Sequence, residues 1–468
     1  MICNLEAGLG EGRFPCLGEK CYFGLLHYPA RPGAPHLRRP MWKLLYNTLV
    51  LPALWLGFRV LWPFNRKVRR GLRGRRSSLQ RLRVFIRNNP GRRRLWVHAS
   101  SMGEFEQAKP IIEELRRRMP DLVVVATFFS PSGYDNNLRY RAVDAVAYIP
   151  FDSGAKARRF LTLLEPTAAV FIRYDVWPNH VWICRAMGIP VMLANATMRA
   201  RSGRLLPGVR RFHRAIYDAM DVILTVSEED AQHFRGLGLS RPRIAAVGDT
   251  RYDRVAGKAA ESQQRMPLPA AVREGRRTLV IGSSWPEDEE VVLPVLFKLL
   301  EHDPTLQCII VPHEPTIDHL EFLEYRLSGK FDALRFSYVH TWKGERVIIV
   351  DSIGILLPLY AAADLAFVGG GFKSNVHNTL EPAAYGIPVL YGPKIGNSQE
   401  AQQLADSGGG IVVRNRQECY RSMRRLIDDE NHREECGRRA GAFVHARAGS
   451  TEAILGALTP LLQSRFKE

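Results

Sequence analysis

The sequence predicts an α/β protein built from two consecutive doubly wound domains, preceded by one apolar helix. Three observations lead there. Short apolar runs alternate with amphipathic helical stretches at the spacing of βαβ units. That series stops at a polar break and then restarts. A single N-terminal segment is long and apolar enough to meet a bilayer. The length of 468 residues fits two or three domains at roughly 100–200 residues each. With 46% hydrophobic and 24% charged residues, the composition is that of a globular protein and excludes a disordered chain, a collagen or a coiled coil.

The first series opens with LWVHA (95–99), a helix over about 105–118, LVVVATF (122–128) and AVAYIPF (145–151). It continues with a helix near 154–164, AAVFI (168–172), a helix near 178–187 and IPVMLANA (189–196). DVILTVS (221–227), a helix near 228–236 and RIAAVGD (243–249) complete it. The polar stretch 257–269 reads as the break. The second series runs TLVIGSS (278–284), a helix near 287–301, QCIIVPH (307–313) and a helix near 315–328. RVIIVDS (346–352), LAFVGG (365–370), IPVLYG (387–392) and GIVVR (410–414) follow, with helices between. In parallel sheets of this kind ligands sit beyond the carboxyl ends of the strands, here in a cleft between the domains. No GxGxxG follows the first strand of either half and no GxxxxGK[ST] occurs, which argues against nicotinamide chemistry and P-loop hydrolysis.

The N-terminal end divides in two. Residues 1–40 carry Gly, Pro, Cys and Arg without periodicity and read as a disordered leader or an upstream start ahead of Met41. Leu44 to Trp62 is about one bilayer span, weakened by Pro52 and Arg59, with Tyr46, Trp55 and Trp62 suited to the interface. Nine Arg/Lys lie between Arg66 and Arg83. By the positive-inside rule they and the domain after them face the cytoplasm, where they attract anionic headgroups. The net charge of +19 calls for a polyanionic partner. The absence of an RNP-type aromatic motif or a zinc-finger spacing leaves the membrane surface rather than nucleic acid. Seven scattered cysteines make neither a disulfide framework nor a zinc site.

Candidate chemistry falls at strand ends. HASSMGEFEQ places Glu104 at a helix start, either as a favourable charge on the helix dipole or as a general base facing the cleft; Glu106, two positions on, faces elsewhere. RYDVWPNH gives Asp175, Trp177 and Asn179 as a ligand edge, or as core and turn residues. Asn195, Arg199 and Arg201 follow the next strand. Arg251 and Asp253 follow the last, with the cations meeting phosphate or neighbouring acids. In the second half, GSSWPEDEE, VPHEP and GGGFKSNVHNTLEPAAYGIP are turns of the type that holds phosphate. The three glycines allow close backbone approach, a helix from about Thr379 aims its N-terminus at a ligand, and Glu381 suits a ribose diol.

Taken together, SSMGEFEQAKP, YDVWPN, NATMRARS, VSEED, VGDTRYD, GSSWPEDEE, VPHEP and NTLEPAAYGIPVLYGP resemble, in order, the 3-deoxy-D-manno-octulosonic acid (Kdo) transferases of lipopolysaccharide synthesis, over roughly residues 41–440. The resemblance implies the GT-B fold, two Rossmann-like domains with an interdomain cleft behind an N-terminal membrane anchor at the cytoplasmic face of the inner membrane. It implies inverting transfer of Kdo from CMP-Kdo to a lipid A precursor (tetraacyldisaccharide 4'-phosphate), without metal or cofactor. The implied divisions are a leader (1–40), an anchor with its basic segment (41–83), an acceptor domain (84–260) and a CMP-Kdo domain (261–468). By motif, Glu104 takes the place of the catalytic base and Asp175 that of a transition-state acid, as Asp where Glu is commoner. Arg251 stands for a Lys. Pro312 and His313 stand for a donor-binding PR. Ile353, Gly354 and Ile355 stand for MGE, so that segment's Glu is absent here. Asn378, Thr379, Leu380 and Glu381 stand for NPLE, with Thr for Pro. The competing expectations are a UDP-sugar enzyme of the same fold acting on membrane lipid, and a non-catalytic lipid-binding scaffold.

Overall fold

The computed structural model describes residues 41–263, 266–396 and 398–463. The expected leader 1–40 lies outside the described residues. Cys184, Cys308, Cys419 and Cys436 are buried and form no disulfide.

Two seven-stranded, wholly parallel sheets follow one another. The first holds β1 (Arg94–Ala99), β2 (Val123–Phe128), β3 (Ala145–Tyr148), β4 (Ala168–Ile172), β5 (Val191–Ala196), β6 (Val222–Thr225) and β7 (Arg243–Ala246), in the order β3-β2-β1-β4-β5-β6-β7. The second holds β8 (Arg277–Ser284), β9 (Leu306–Pro312), β10 (Ala333–Arg335), β11 (Val347–Ile349), β12 (Leu365–Val368), β13 (Val389–Tyr391) and β14 (Gly410–Val412), in the order β10-β11-β9-β8-β12-β13-β14. Strands β1, β2, β4 and β5 are buried along their whole length, which is why they read as unbroken apolar runs rather than alternating ones. The strand order reverses once in each sheet, between β1 and β4 and between β8 and β12. A crevice opens at such a reversal because the flanking connections leave on opposite faces. This is the GT-B arrangement.

Three segments differ from expectation. The edge strand β10 is only three residues long and falls between the expected helix near 315–328 and the run 346–352, where no strand was expected. The break at 257–269 is helical over its first part. The helix Thr250–Gln263 buries Tyr252, Val255 and Ala259, a three-and-four spacing that polar neighbours obscure. The final helix, Ser450–Gln463, leaves the second domain. Its Ile454, Leu455, Leu458, Leu461 and Leu462 share a core with Val97 and Val170 of the first sheet. By packing, that helix joins the core of the first domain.

The apolar N-terminal segment is one helical rod, Met41–Leu61, with a π-helical turn over Tyr46–Val50 just before Pro52. Proline lacks the N–H for the helical ladder, and a widened turn absorbs its ring. One face of the rod is docked. Tyr46 is buried and its hydroxyl donates to Asp152 at 2.8 Å, while Phe58 packs on Phe129 and Phe151. The other face leaves Leu44, Leu49, Leu56 and Val60 exposed.

The basic run forms the helix Arg66–Asn88, capped by the Asn65 side chain. Its buried stripe is Gly71, Arg75, Ser78, Leu82 and Ile86, so one of the nine cations points inward. The Arg75 guanidinium sits 4.6 Å from the Phe129 ring and 4.9 Å from that of Phe151, and donates to the Phe129 carbonyl. Small residues let this helix lie on the sheet edge: a Cβ on Gly74 would meet the Tyr148 ring at 2.6 Å. Gly74→Val is expected to destabilise the protein by about 1–3 kcal/mol through overpacking, measured as a lower midpoint in chemical denaturation.

Candidate active site

The two reversals gather the candidate residues into two groups. At the β1/β4 reversal, His98 ends β1, the helix Met102–Arg118 begins two residues after Ser100, and Asp175 follows β4. The Glu104 carboxylate is buried, 6% exposed, and its Oε2 accepts from the backbone N–H groups of Ser100 (2.6 Å) and Ser101 (3.0 Å). It thus caps its own helix through one oxygen and leaves Oε1 outside those bonds. Burial pushes its pKa above the usual glutamate value, the Asp175 charge adds to this, and the two amides oppose it. Burial also pushes Asp175 up, but donors from His98, Ser100 and Trp177 outweigh it and hold its carboxyl below the usual range. His98 Nε2 lies 3.3 Å and Trp177 Nε1 3.2 Å from Asp175 Oδ2. Trp96 and the other His98 nitrogen meet at the Thr127 hydroxyl (2.8 and 2.9 Å), which fixes the imidazole. Two neighbouring carboxyls are therefore driven apart in acidity, an arrangement that separates an acid/base from a fixed charge.

Other expectations at this end resolve as structural. Asn179 is fully buried, donates to Asn47 Oδ1 at 2.9 Å and to the Asp152 carbonyl, and is no ligand edge. Asn195, also buried, is tied to the Thr250 hydroxyl and amide. Asp253 accepts from the Gly449 and Thr451 amides and so holds the start of the last helix. Glu106 pairs with Lys109 and with Arg254. Arg251 donates to Asp249 and to Glu400, both at 2.9 Å, and bridges the two domains. Burial lowers its pKa and the two carboxylates raise it further, for a net rise.

The β8/β12 reversal gathers the second group. The glycine turn after β12 is close-packed: a Cβ on Gly369 would stand 2.3 Å from the Ser283 carbonyl, and one on Gly371 2.6 Å from the Gly392 amide. Its amides are also occupied, since Asp288 accepts from Gly370 (2.6 Å), Phe372 (3.0 Å) and Trp285 (3.1 Å). The glycines thus serve packing, and an internal carboxylate fills the place expected for a phosphate. What stands open beside it is a ring stack that sequence reasoning missed. His313, after Pro312 at the end of β9, lies 4.2 Å from His377 at 15°, and Trp285 covers His313 at 4.6 Å. Trp285 Nε1 donates to His377 Nε2 at 2.8 Å, and Lys373 sits 3.2 Å over the Trp285 ring. The only signal was an aromatic directly after a Ser-rich strand end.

Asn378 Nδ2 donates to Glu381 Oε1 at 3.0 Å and its Oδ1 accepts from the Leu380 amide, so Asn378, Thr379, Leu380 and Glu381 form one short turn leading into a five-residue helix. Burial raises the Glu381 pKa, with Asn378, Lys258 and Arg254 opposing. Ile353 is 86% exposed, Gly354 has φ +90° and Ile355 is half-buried, on the β11 loop of the same sheet.

Residues 74–254 match the family profile described as "3-Deoxy-D-manno-octulosonic-acid transferase (kdotransferase)". A 3-deoxy-D-manno-octulosonic acid transferase of Chlamydophila psittaci is 28% identical over 358 residues, covering 75% of this chain and 81% of that protein. One of Haemophilus influenzae is 25% identical over 378 residues, covering 79% and 87%. The chain is a homologue of the Kdo transferases. These relatives are glycosyltransferases, and their likeness spans both sheets. Among solved structures, the UDP-GlcNAc 2-epimerase of Neisseria meningitidis superposes with a TM-score of 0.54 at 15% identity, covering 78% of this chain and 99% of that one, a likeness of fold.

Burial, with His313 and Lys373 alongside, lowers the His377 pKa to about 4. A histidine depressed in the folded state binds its proton more readily when unfolded, so its contribution to stability is lost as pH falls from about 6.5 to about 4. His377→Asn should flatten the fall in denaturation midpoint between pH 7 and 4.5 relative to the unaltered protein.

Proposed function

We propose that this homologue is an inverting, metal-independent glycosyltransferase that moves Kdo from CMP-Kdo to a lipid A precursor. The observation that carries the reading is the Glu104/Asp175 pair at the strand reversal of a domain whose relatives are named Kdo transferases. In this reading the first domain holds the acceptor and the second the donor.

Glu104 takes the proton from the acceptor hydroxyl as that oxygen attacks the anomeric carbon. Burial raises its basicity, while the Ser100 and Ser101 amides keep enough of the carboxylate ionised. The bond from the anomeric carbon to the phosphate oxygen breaks from the opposite face, and CMP departs with the electron pair. Asp175, held ionised by three donors, offers its charge to the carbocation character that develops at the sugar. On the donor side, Glu381 with Asn378 meets the ribose hydroxyls. Pro312, His313 and the β11 loop at Ile353, Gly354 and Ile355 flank the nucleotide. The stack of His313, His377 and Trp285 with Lys373 meets its phosphate in place of the arginine that PR would supply. Arg251, held between Asp249 and Glu400, acts as a hinge contact that reaches donor anions only when Glu400 is displaced.

The rod Met41–Leu61 is apolar enough to cross a membrane by length and composition. Because Tyr46 and Phe58 hold its inner face to the first domain, we read it as lying in the interface, with the basic helix against anionic headgroups on the cytoplasmic side. Such a placement brings a lipid acceptor to the site from the bilayer surface.

The test uses Glu104→Gln, which keeps an oxygen for the Ser100 and Ser101 amides and so spares the helix cap. Label transfer from CMP-Kdo generated in situ to a tetraacylated precursor should fall about 100-fold or more, with CMP binding unchanged. Near-normal turnover rejects the base assignment. Transfer from a UDP-sugar but not CMP-Kdo by the unaltered protein rejects the donor.

A further inference from the structure

Strand β8 does not end straight. Its pairing with β9 slips between Gly282 and Ser284, and the residue at the slip, Ser283, has φ +53°. A side chain in the left-handed region persists only where its surroundings hold it there, and such an irregularity re-aims the residues that follow. Here the residue that follows is Trp285, which enters the ring stack with His313 and His377. The Ser284 carbonyl accepts from the His313 amide at 2.9 Å, so the two strand ends that carry the stack leave side by side.

A chain of three side chains fastens this corner. The buried Ser284 hydroxyl donates to Glu289 Oε1 at 2.7 Å. Glu289, also buried and near the start of the helix Pro286–His302, faces the half-buried His319. The His319 Nε2 lies 3.0 Å from Glu289 Oε1 and 2.9 Å from Oε2. Its Nδ1 lies 3.2 Å from the Glu314 carbonyl, in the loop between β9 and the helix Ile317–Leu327. A carbonyl only accepts, and so does a carboxylate, so both ring nitrogens donate and the ring is an imidazolium. Glu289 and Glu314 are the charged groups that face it from the neighbouring helix and loop, while Asp318 and Glu321 on its own helix are exposed. The Glu289 hydrogen bond raises the His319 pKa above the usual histidine value; burial and the helix N-terminus oppose, and the two carboxylate charges add to the rise.

We propose that His319 is a positioning residue of the second domain: as an imidazolium it clamps the end of β8 to the loop after β9 and keeps Trp285 and His313 in the stack, and as a neutral ring it releases them. Loss of one proton sets a ring lone pair against either the Glu314 carbonyl or the Glu289 carboxylate, so one of the two contacts turns repulsive. The strained Ser283 then loses the bond chain that fixes its neighbour, and Trp285 is free to turn away. The clamp itself stands on the geometry of these two loops. Its effect on nucleotide affinity rests on the donor reading above, in which the stack meets the phosphate of CMP-Kdo. On that reading, donor affinity is full while His319 is charged and falls as pH rises through its raised pKa.

The test follows histidine titrations by NMR in the full chain, 13C-labelled at histidine and held in neutral detergent. His319 and His377 are identified by the signals lost in His319→Gln and His377→Asn. The His319 signal should titrate above about pH 6.5, and Glu289→Gln, which removes the charge but keeps the shape, should bring it down. In His319→Gln the His377 signal, at about 4 in the unaltered chain, should move up toward the ordinary value as the stack opens. CMP affinity is then measured by calorimetry from pH 7 to 9, where the nucleotide phosphate is already fully charged. It should fall several-fold in the unaltered chain. In His319→Gln it should be weaker at pH 7 and flat, and in His319→Arg, a permanent cation, it should be near the unaltered value and flat. In Glu289→Gln the fall should move to lower pH together with the His319 signal. A part that is merely structural would weaken binding at every pH and leave the slope alone. An alkaline fall that persists in His319→Gln and stays in place in Glu289→Gln therefore overturns the proposal. So does a His319 signal at or below the ordinary value, or a His377 signal unmoved in His319→Gln. Coupled His319 and His377 titrations with no CMP bound by the unaltered chain would support the clamp and reject the CMP reading instead.

Discussion

A single buried carboxylate ties the apolar rod to the strand-end residues of the first domain that carry the candidate site. Asp152 is fully buried and accepts from the Tyr46 hydroxyl (2.8 Å), the Asn179 amide (3.0 Å) and both the amide and ring of His180 (3.0 and 2.7 Å). An uncompensated charge in such a place is costly, so the four donors and the carboxylate hold one another in a fixed arrangement. The helix that begins at Pro178 is thereby pinned at its N-terminus, and the short link before it, carrying Asp175 and Trp177, is fixed in turn. The same carboxylate fastens the apolar rod through Tyr46.

Strand order does the rest of the positioning. Each sheet reverses between the strands that precede Glu104 and Asp175 in one case, and Trp285 and His377 in the other. Residues about 70 to 90 positions apart in the chain meet because adjacent parallel strands end on the same rim. Chemistry then follows from local environment. Glu104 has two amides and a neighbouring negative charge, Asp175 has three donors, and their acidities separate accordingly.

Between the domains and at the second strand reversal, polar side chains fasten structure rather than await ligand. Arg251 joins Asp249 to Glu400, Asp253 starts the returning last helix, and Asp288 fills the amides of the glycine turn. Each is a residue type that binds anions, sugars or metals elsewhere. What decides its role is whether a neighbouring group reaches it before a ligand can.

The two series of strands, apart from the three-residue edge strand β10, and the apolar rod were legible in the sequence because burial on both faces of a parallel sheet imposes long apolar runs, which need no partner to be recognised. The helix Thr250–Gln263 was not, since its three buried residues are outnumbered by polar ones, nor was the return of the last helix to the first sheet, since nothing local tells which core an apolar stripe will join. For the candidate site, the chain itself determined which acids, rings and cations stand at strand ends, and its motifs carried the likeness to Kdo transferases. Only the tertiary structure decided that Asn179, Asn195 and Asp253 are internal fastenings, that the glycine turn is filled by Asp288, and that Trp285, His313 and His377 form one stack. Those outcomes depend on distances between strands far apart in the chain, and a distance of that kind is a property of packing, written in no single segment.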